Sequence, residues 1–161
     1  MTLAQSAPPS QALRRYQRAQ RSALGRWLFA RTARARAPLL AALQAHFGEL
    51  RVGLCRTTMQ AHRRVRSGDG AVDPTAISAL AQLAATMLIE VSVPEGLSWT
   101  ARGLTVEHLR RVDSAVSALG RLDKTDWAET GLIGVPVTIT DAAGTEVARA
   151  VVSFAVATRS D

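Results

Sequence analysis

Residues 67–96 read SGDGAVDPTAISALAQLAATMLIEVSVPEG, and this stretch decides the fold. Asp73-Pro74 joins two helix-start signals. An Asp side chain can accept a backbone N–H as N-cap, and proline, with φ fixed and no N–H, suits the first helical position. The run after Asp73 predicts a long helix over about 74–90, ended by Pro94-Glu95-Gly96. The helix is apolar almost all round and crowded with Ala76, Ala79, Ala81, Ala84 and Ala85. A helix without a polar face must be surrounded by protein, and such small side chains predict a sheet at close range. Ser67-Gly68-Asp69-Gly70, just before it, is a turn sequence.

Upstream, Val52, Leu54, Arg56 and Thr58 alternate with Gly53, Cys55, Thr57 and Met59, which predicts one strand over 50–65. A short helix is expected from Pro38 to about His46, ended by Phe47-Gly48. Downstream, alternating runs predict strands at 98–111, 114–123, 132–140 and 145–158. Asp141-Ala142-Ala143-Gly144 reads as the hairpin turn between the last two, and Pro136 as an edge or bulge position. At the front, residues 1–9 read as a disordered lead. Residues 10–36 read as a basic helical arm capped by Ser10, with Leu13, Tyr16, Leu24, Trp27 and Leu28 near one face. The remaining 37–158 form one α+β domain.

Thirteen arginines and a single acid, Glu49, give residues 1–66 a net charge of +12, whereas residues 67–161 carry −5. The basic character therefore belongs to the front of the chain. Arginine interrupts the arm too often for a secretory signal. The apolar run Ala76–Val91 contains Ser78, Gln82, Thr86 and Glu90 and is short for a bilayer span. Cys55 is the only cysteine, so no intrachain disulfide can form, and a cytoplasmic protein is expected. Aromatic content of 4% without a recognition motif argues against nucleic acid. His46, His62 and His108 lack metal-ligand spacing. Asp113 and Ser114 assemble no Ser-His-Asp set. Residues 14–36 could touch an anionic membrane or dock their apolar face on the domain or a second subunit.

The block GLCRTTMQAHRRVRSGDGAVDPTAISALAQLAATM (53–87), with SWTARGLTVEHLRRVDSAV (98–116) after it, resembles the acyl-CoA thioesterase branch of the hotdog superfamily, nearest the PaaI-like proteins and an uncharacterised group related to them. The resemblance implies a curved antiparallel sheet around the long helix. It also implies pairing of two subunits (a homodimer or a tetramer) and an acyl-CoA thioester as substrate or ligand, with no cofactor or metal. In active members a His-Gly-Gly turn precedes the helix, and an Asp or Glu comes nine residues after the His. A glycine N–H meets the thioester carbonyl and the carboxylate acts as base or nucleophile, which a helix N-terminus and a held carboxylate can do.

Carried onto this chain, the His position is Asp73, the Gly position Pro74 and the acid position Gln82. Pro74 has no N–H to donate, and Gln82 is no carboxylate base. Hydrolysis by that route is therefore expected to be weak or absent. Thr75 or Ala76 could offer a replacement N–H, and Asp73 or Asp69 a replacement base, although Asp73 also fits an ordinary cap. Ser67, Gly68 and Asp69 fall where relatives line the pocket, and Arg102-Gly103 where they meet the pantetheine arm or the partner. Two readings stay open: a thioesterase with a rearranged site, and a non-catalytic acyl-thioester or fatty-acyl binder or structural protein.

Overall fold

A computed structural model describes residues 42–123, 127 and 131–158, so the lead and the arm lie outside the described residues. The elements run β1 (His46–Arg51), β2 (Leu54–Met59), a 3-10 turn (Arg63–Val65), α1 (Pro74–Ser92), β3 (Leu97–His108), β4 (Val116–Arg121), β5 (Gly131–Asp141) and β6 (Glu146–Thr158). All six strands form one antiparallel sheet in the order β1-β2-β4-β5-β6-β3. A flat sheet of six strands would be roughly 24 Å across at ~4.8 Å per strand, about twice a helix diameter. Yet α1 contacts every strand. The sheet therefore curves around the helix, which is the hotdog arrangement.

α1 starts and stops where its sequence says it should. The Asp73 side chain accepts the Thr75 N–H at 2.7 Å, and Pro74 occupies the first turn. At the far end Pro94 holds Val93 extended (φ −71, ψ 128). Ile77, Leu80, Ala81, Ala84, Ala85, Leu88 and Ile89 are buried against Met59, Ala118, Val135, Val137, Ile139 and Phe154 in one core. Each large aliphatic there contributes roughly 1.5–3 kcal/mol by leaving water. The alanines do allow close approach: a Cβ on Gly120 of β4 would sit 3.2 Å from Leu88 Cδ2 and 3.8 Å from the Ala84 backbone. By length and composition α1 could cross a membrane, but 61% of that window is buried inside the fold, as befits a core helix.

Two expectations are corrected. The strand expected over 50–65 is a hairpin, β1 and β2, hinged on Val52-Gly53. Gly53 takes φ +78, which a side chain resists, and its N–H is held by Ser92 Oγ at 3.0 Å. The chain then leaves the sheet at Met59, and Arg63–Val65 form the 3-10 turn. The helix expected to reach His46 ends earlier: within the described residues only Ala42 and Leu43 are helical, Gln44 turns left-handed (φ 49), and His46 already begins β1. The four later strands stand close to their expected bounds. The Asp141 turn forms, with Asp141 Oδ1 accepting the N–H groups of Ala143 and Thr145. Pro136 lies just beyond the β4–β5 ladder, which begins at Val137, so its missing N–H costs no bond there.

Candidate functional site

The turn before α1 is built to be rigid. Ser67 Oγ donates to Asp69 Oδ1 at 2.5 Å, the Ala71 N–H reaches the same oxygen at 3.2 Å, and Gly70 N bonds Ser67 O at 3.0 Å. Across the gap, Arg111 Nε meets Asp69 Oδ2 at 3.2 Å and Arg111 Nη2 meets Asp69 O at 2.6 Å. The Ser67 hydroxyl, the Ala71 N–H and the Arg111 charge all hold the Asp69 carboxyl below the usual carboxylate range. Arg66 fastens the base of the loop through the carbonyls of Ala61, Gly70 and Asp113. Gly68 stands in open space at the tip.

Between this loop, the first turns of α1 and the segment after β3 lies a cleft of about 330 Å³, lined by Ser67, Asp69, Pro74, Ile77, His108 and Arg110 among others. At its helix wall Pro74 offers no donor and Asp73 takes the Thr75 N–H. Ile77 N bonds Asp73 O at 3.1 Å, and the Ala76 N–H has no partner among the described residues. Of the two N–H groups that could replace the lost donor, Thr75's is committed and Ala76's is open. Asp73 sits in the cap position, its Oδ1 occupied. Ser67, Asp69 and Pro74 line the cleft together; Gly68, Asp73, Thr75, Ala76, Gln82, Arg102 and Gly103 do not.

The polar residues of α1 were scattered among alanines in the sequence, but they are not scattered in space. Thr75, Ser78, Gln82, Thr86 and Glu90 recur at three- and four-residue steps and share one stripe, exposed or half-buried. The helix is thus not apolar all round. β3 runs beside this stripe and is tied to it at both ends. Trp99 Nε1 donates to Glu90 Oε2 at 2.9 Å, and His108 Nε2 stands 3.5 Å from Ser78 Oγ. Leu104 and Val106 pair with the buried Val152 and Ala150, so they face the helix side, where Leu104 is 38% exposed. The result is a groove with a polar helical wall and an apolar strand wall. Gln82 is exposed one turn beyond Ser78, in that groove rather than in the cleft. Arg102 is the extra residue of a β-bulge between Ala101 and Gly103, exposed on the sheet's outermost strand and without a partner among the described residues. Bulges of this kind re-aim a side chain or break up an edge.

Sequence reasoning missed His108 because it weighed the histidines only as metal ligands. Strand alternation could have found it: Glu107 and His108 must point to opposite faces. Among the described residues no three of His, Cys, Asp or Glu come together to hold a metal ion.

A family model described as Domain of unknown function (DUF4442) matches residues 25–156. No curated protein matches the chain. Among solved structures, the crystal structure of genomics APC5556 is 30% identical, covering 92% of this chain and 98% of that one, with a TM-score of 0.81. A Pseudomonas aeruginosa protein of unknown function, PA5026, termed a probable thioesterase, is 16% identical over 78% of this chain and 91% of that one (TM-score 0.72). Thioesterase HI1161 from Haemophilus influenzae is 16% identical over 74% and 82% (TM-score 0.66). The last two likenesses carry the fold.

Proposed function

This chain belongs to the DUF4442 family, and on that premise we propose that it is a thioesterase-like hotdog protein that takes an acyl thioester into the groove between α1 and β3. The carrying observation is that groove: a polar helical stripe facing the part-exposed Leu104, opening at His108 onto the cleft at the helix start. An acyl chain suits the strand wall. The thioester would lie near the start of α1, where the helix dipole and the open Ala76 N–H favour a developing negative oxygen. Arg110, which lines the cleft, suits the phosphates of coenzyme A.

Hydrolysis by the helix-carboxylate route is weak in this reading. Removing one oxyanion donor costs about 10²–10³ in rate, and Gln82 takes no proton. The block at 53–87 supports a place near the PaaI-like branch. A homodimer is part of the proposal. β3 is a 12-residue edge strand, exposed along most of its length, and such an edge invites a second strand. We place the protein in the cytoplasm, with contact of residues 14–36 with a membrane the less favoured role for the arm.

Thiol release from short-, medium- and long-chain acyl-CoAs, with binding measured in parallel, tests this. Micromolar binding with slow turnover is expected for at least one chain length. Absence of both binding and turnover across the whole panel would refute it.

A further inference from the structure

We propose that His108 is the general base of this site and that Ser78 holds it in position, a reading that rests on the acyl-thioester function above. The strand sets the placement. Glu107 is pinned on the outer face of the sheet by Arg149, Nε to Oε2 at 2.8 Å. Side chains alternate along a strand, so the next residue points to the other face. There His108 pairs with Ala148, which is fully buried on the core side. Immediately afterwards Val147 O accepts the N–H groups of both Leu109 and Arg110, at 2.9 and 3.2 Å, and the chain turns to form the cleft wall. His108 is the last residue of β3 and lines that cleft. Its ring therefore sits where the groove and the cleft meet.

The hydrogen bonds around Ser78 decide the roles. Ser78 Oγ donates to Pro74 O at 2.9 Å, so its one proton is already used. That hydroxyl can only accept from His108 Nε2, 3.5 Å away, and of the two neutral tautomers this selects the one with its proton on Nε2. The Nδ1 lone pair is then free, and Nδ1 has no partner among the described residues. Ser78 is thus a positioning residue and not a nucleophile.

The rival carboxylates are occupied. Asp73 Oδ1 caps the helix, and Asp69 is held by Ser67, Ala71 and Arg111. The base that Gln82 cannot provide comes from the opposite wall of the groove. In the reaction, water attacks the thioester carbonyl carbon while His108 Nδ1 takes its proton. The tetrahedral intermediate collapses with cleavage of the C–S bond, and the same proton passes to the departing thiolate. Acid and thiol leave, and the imidazole is neutral again.

The test measures thiol release and acyl-CoA binding for the whole chain and its variants, each checked for folding by its thermal transition. His108→Gln should lower kcat by about 10² or more, the usual contribution of a general base, with KM and binding within a few-fold of wild type. In His108→Ala, added imidazole should restore turnover in proportion to its concentration. Ser78→Ala should lower kcat about 10-fold at unchanged KM, and Ser78→Thr should recover most of it. Turnover of His108→Gln within 3-fold of wild type would overturn the proposal while leaving the thioesterase reading intact. Wild-type binding without turnover would also overturn it and leave a thioester binder. Absence of both binding and turnover would remove the acyl-thioester reading itself.

Discussion

Replacing Asp73 separates a helix cap from a catalytic acid. Its side chain makes one bond, Oδ1 to the Thr75 N–H at 2.7 Å, while its backbone bonds, N to Val65 O and O from Ile77 N, are kept in Ala and Asn variants. Asp73→Ala therefore removes one cap, worth about 1 kcal/mol, and one negative charge at the helix start, worth about 0.3–1 kcal/mol. The sum is about 1–2 kcal/mol. At about 2–4 °C per kcal/mol for a chain of this size, Tm should fall by roughly 2–8 °C. Asp73→Asn keeps an acceptor oxygen and loses only the charge, so its Tm should fall by about 1–4 °C. Thermal and urea unfolding of the three proteins gives the order Asp, Asn, Ala. Any thiol release should be nearly unchanged in the Asn variant. Equal destabilisation by Asn and Ala would refute the cap. A hundredfold loss of turnover in a stable Asn variant would make Asp73 catalytic.

Single positions elsewhere give further expected outcomes. Gly53→Ala forces a side chain into φ +78, with its Cβ 2.9 Å from Leu122 O, and should destabilise by about 1–3 kcal/mol in urea titration; a neutral result would contradict the tight β1–β2 turn. Burial pushes the Cys55 thiol up from 9.0 to about 12. Iodoacetamide should therefore label it at pH 8 only after unfolding. Because its folded value lies above its unfolded one, the associated stability is full below about pH 9 and declines from there towards pH 12; a flat stability profile between those limits would argue against it. Pro74→Gly combined with Gln82→Glu restores a donor N–H and a carboxylate to the helix, and thiol release should rise at least 10-fold. No gain in a folded double variant would undermine this account of the weak site.

How much of this was legible in the chain depended on whether the signal was local. Asp73-Pro74 and Val93-Pro94 mark α1 because capping and the restriction before proline act within a few residues. The Asp141 turn was readable for the same reason. Gly53 was not, because the alternation of Val52 to Met59 continues across it, and only its positive φ shows where the strand folds back. The groove was hidden for a different reason. The four-residue spacing of Ser78, Gln82, Thr86 and Glu90 sets them on one helical face, but nothing local says that β3 lies along it. Which strand borders α1 is a matter of sheet order, and β3 reaches the edge through long-range pairing with β6 that no short window encodes. His108 needed both facts, the pinned Glu107 and the neighbouring Ser78, thirty residues away.

The most direct test of the central claim is where an acyl thioester binds, tracked by amide chemical-shift changes as a non-hydrolysable acyl-CoA analogue is titrated into the labelled protein. The account predicts the largest changes at Thr75, Ala76, Ser78, Gln82, Leu104 and His108, along the groove and its mouth. Changes confined to the outer face of the sheet, around Leu132 and Val151, or no changes at millimolar ligand, would contradict it.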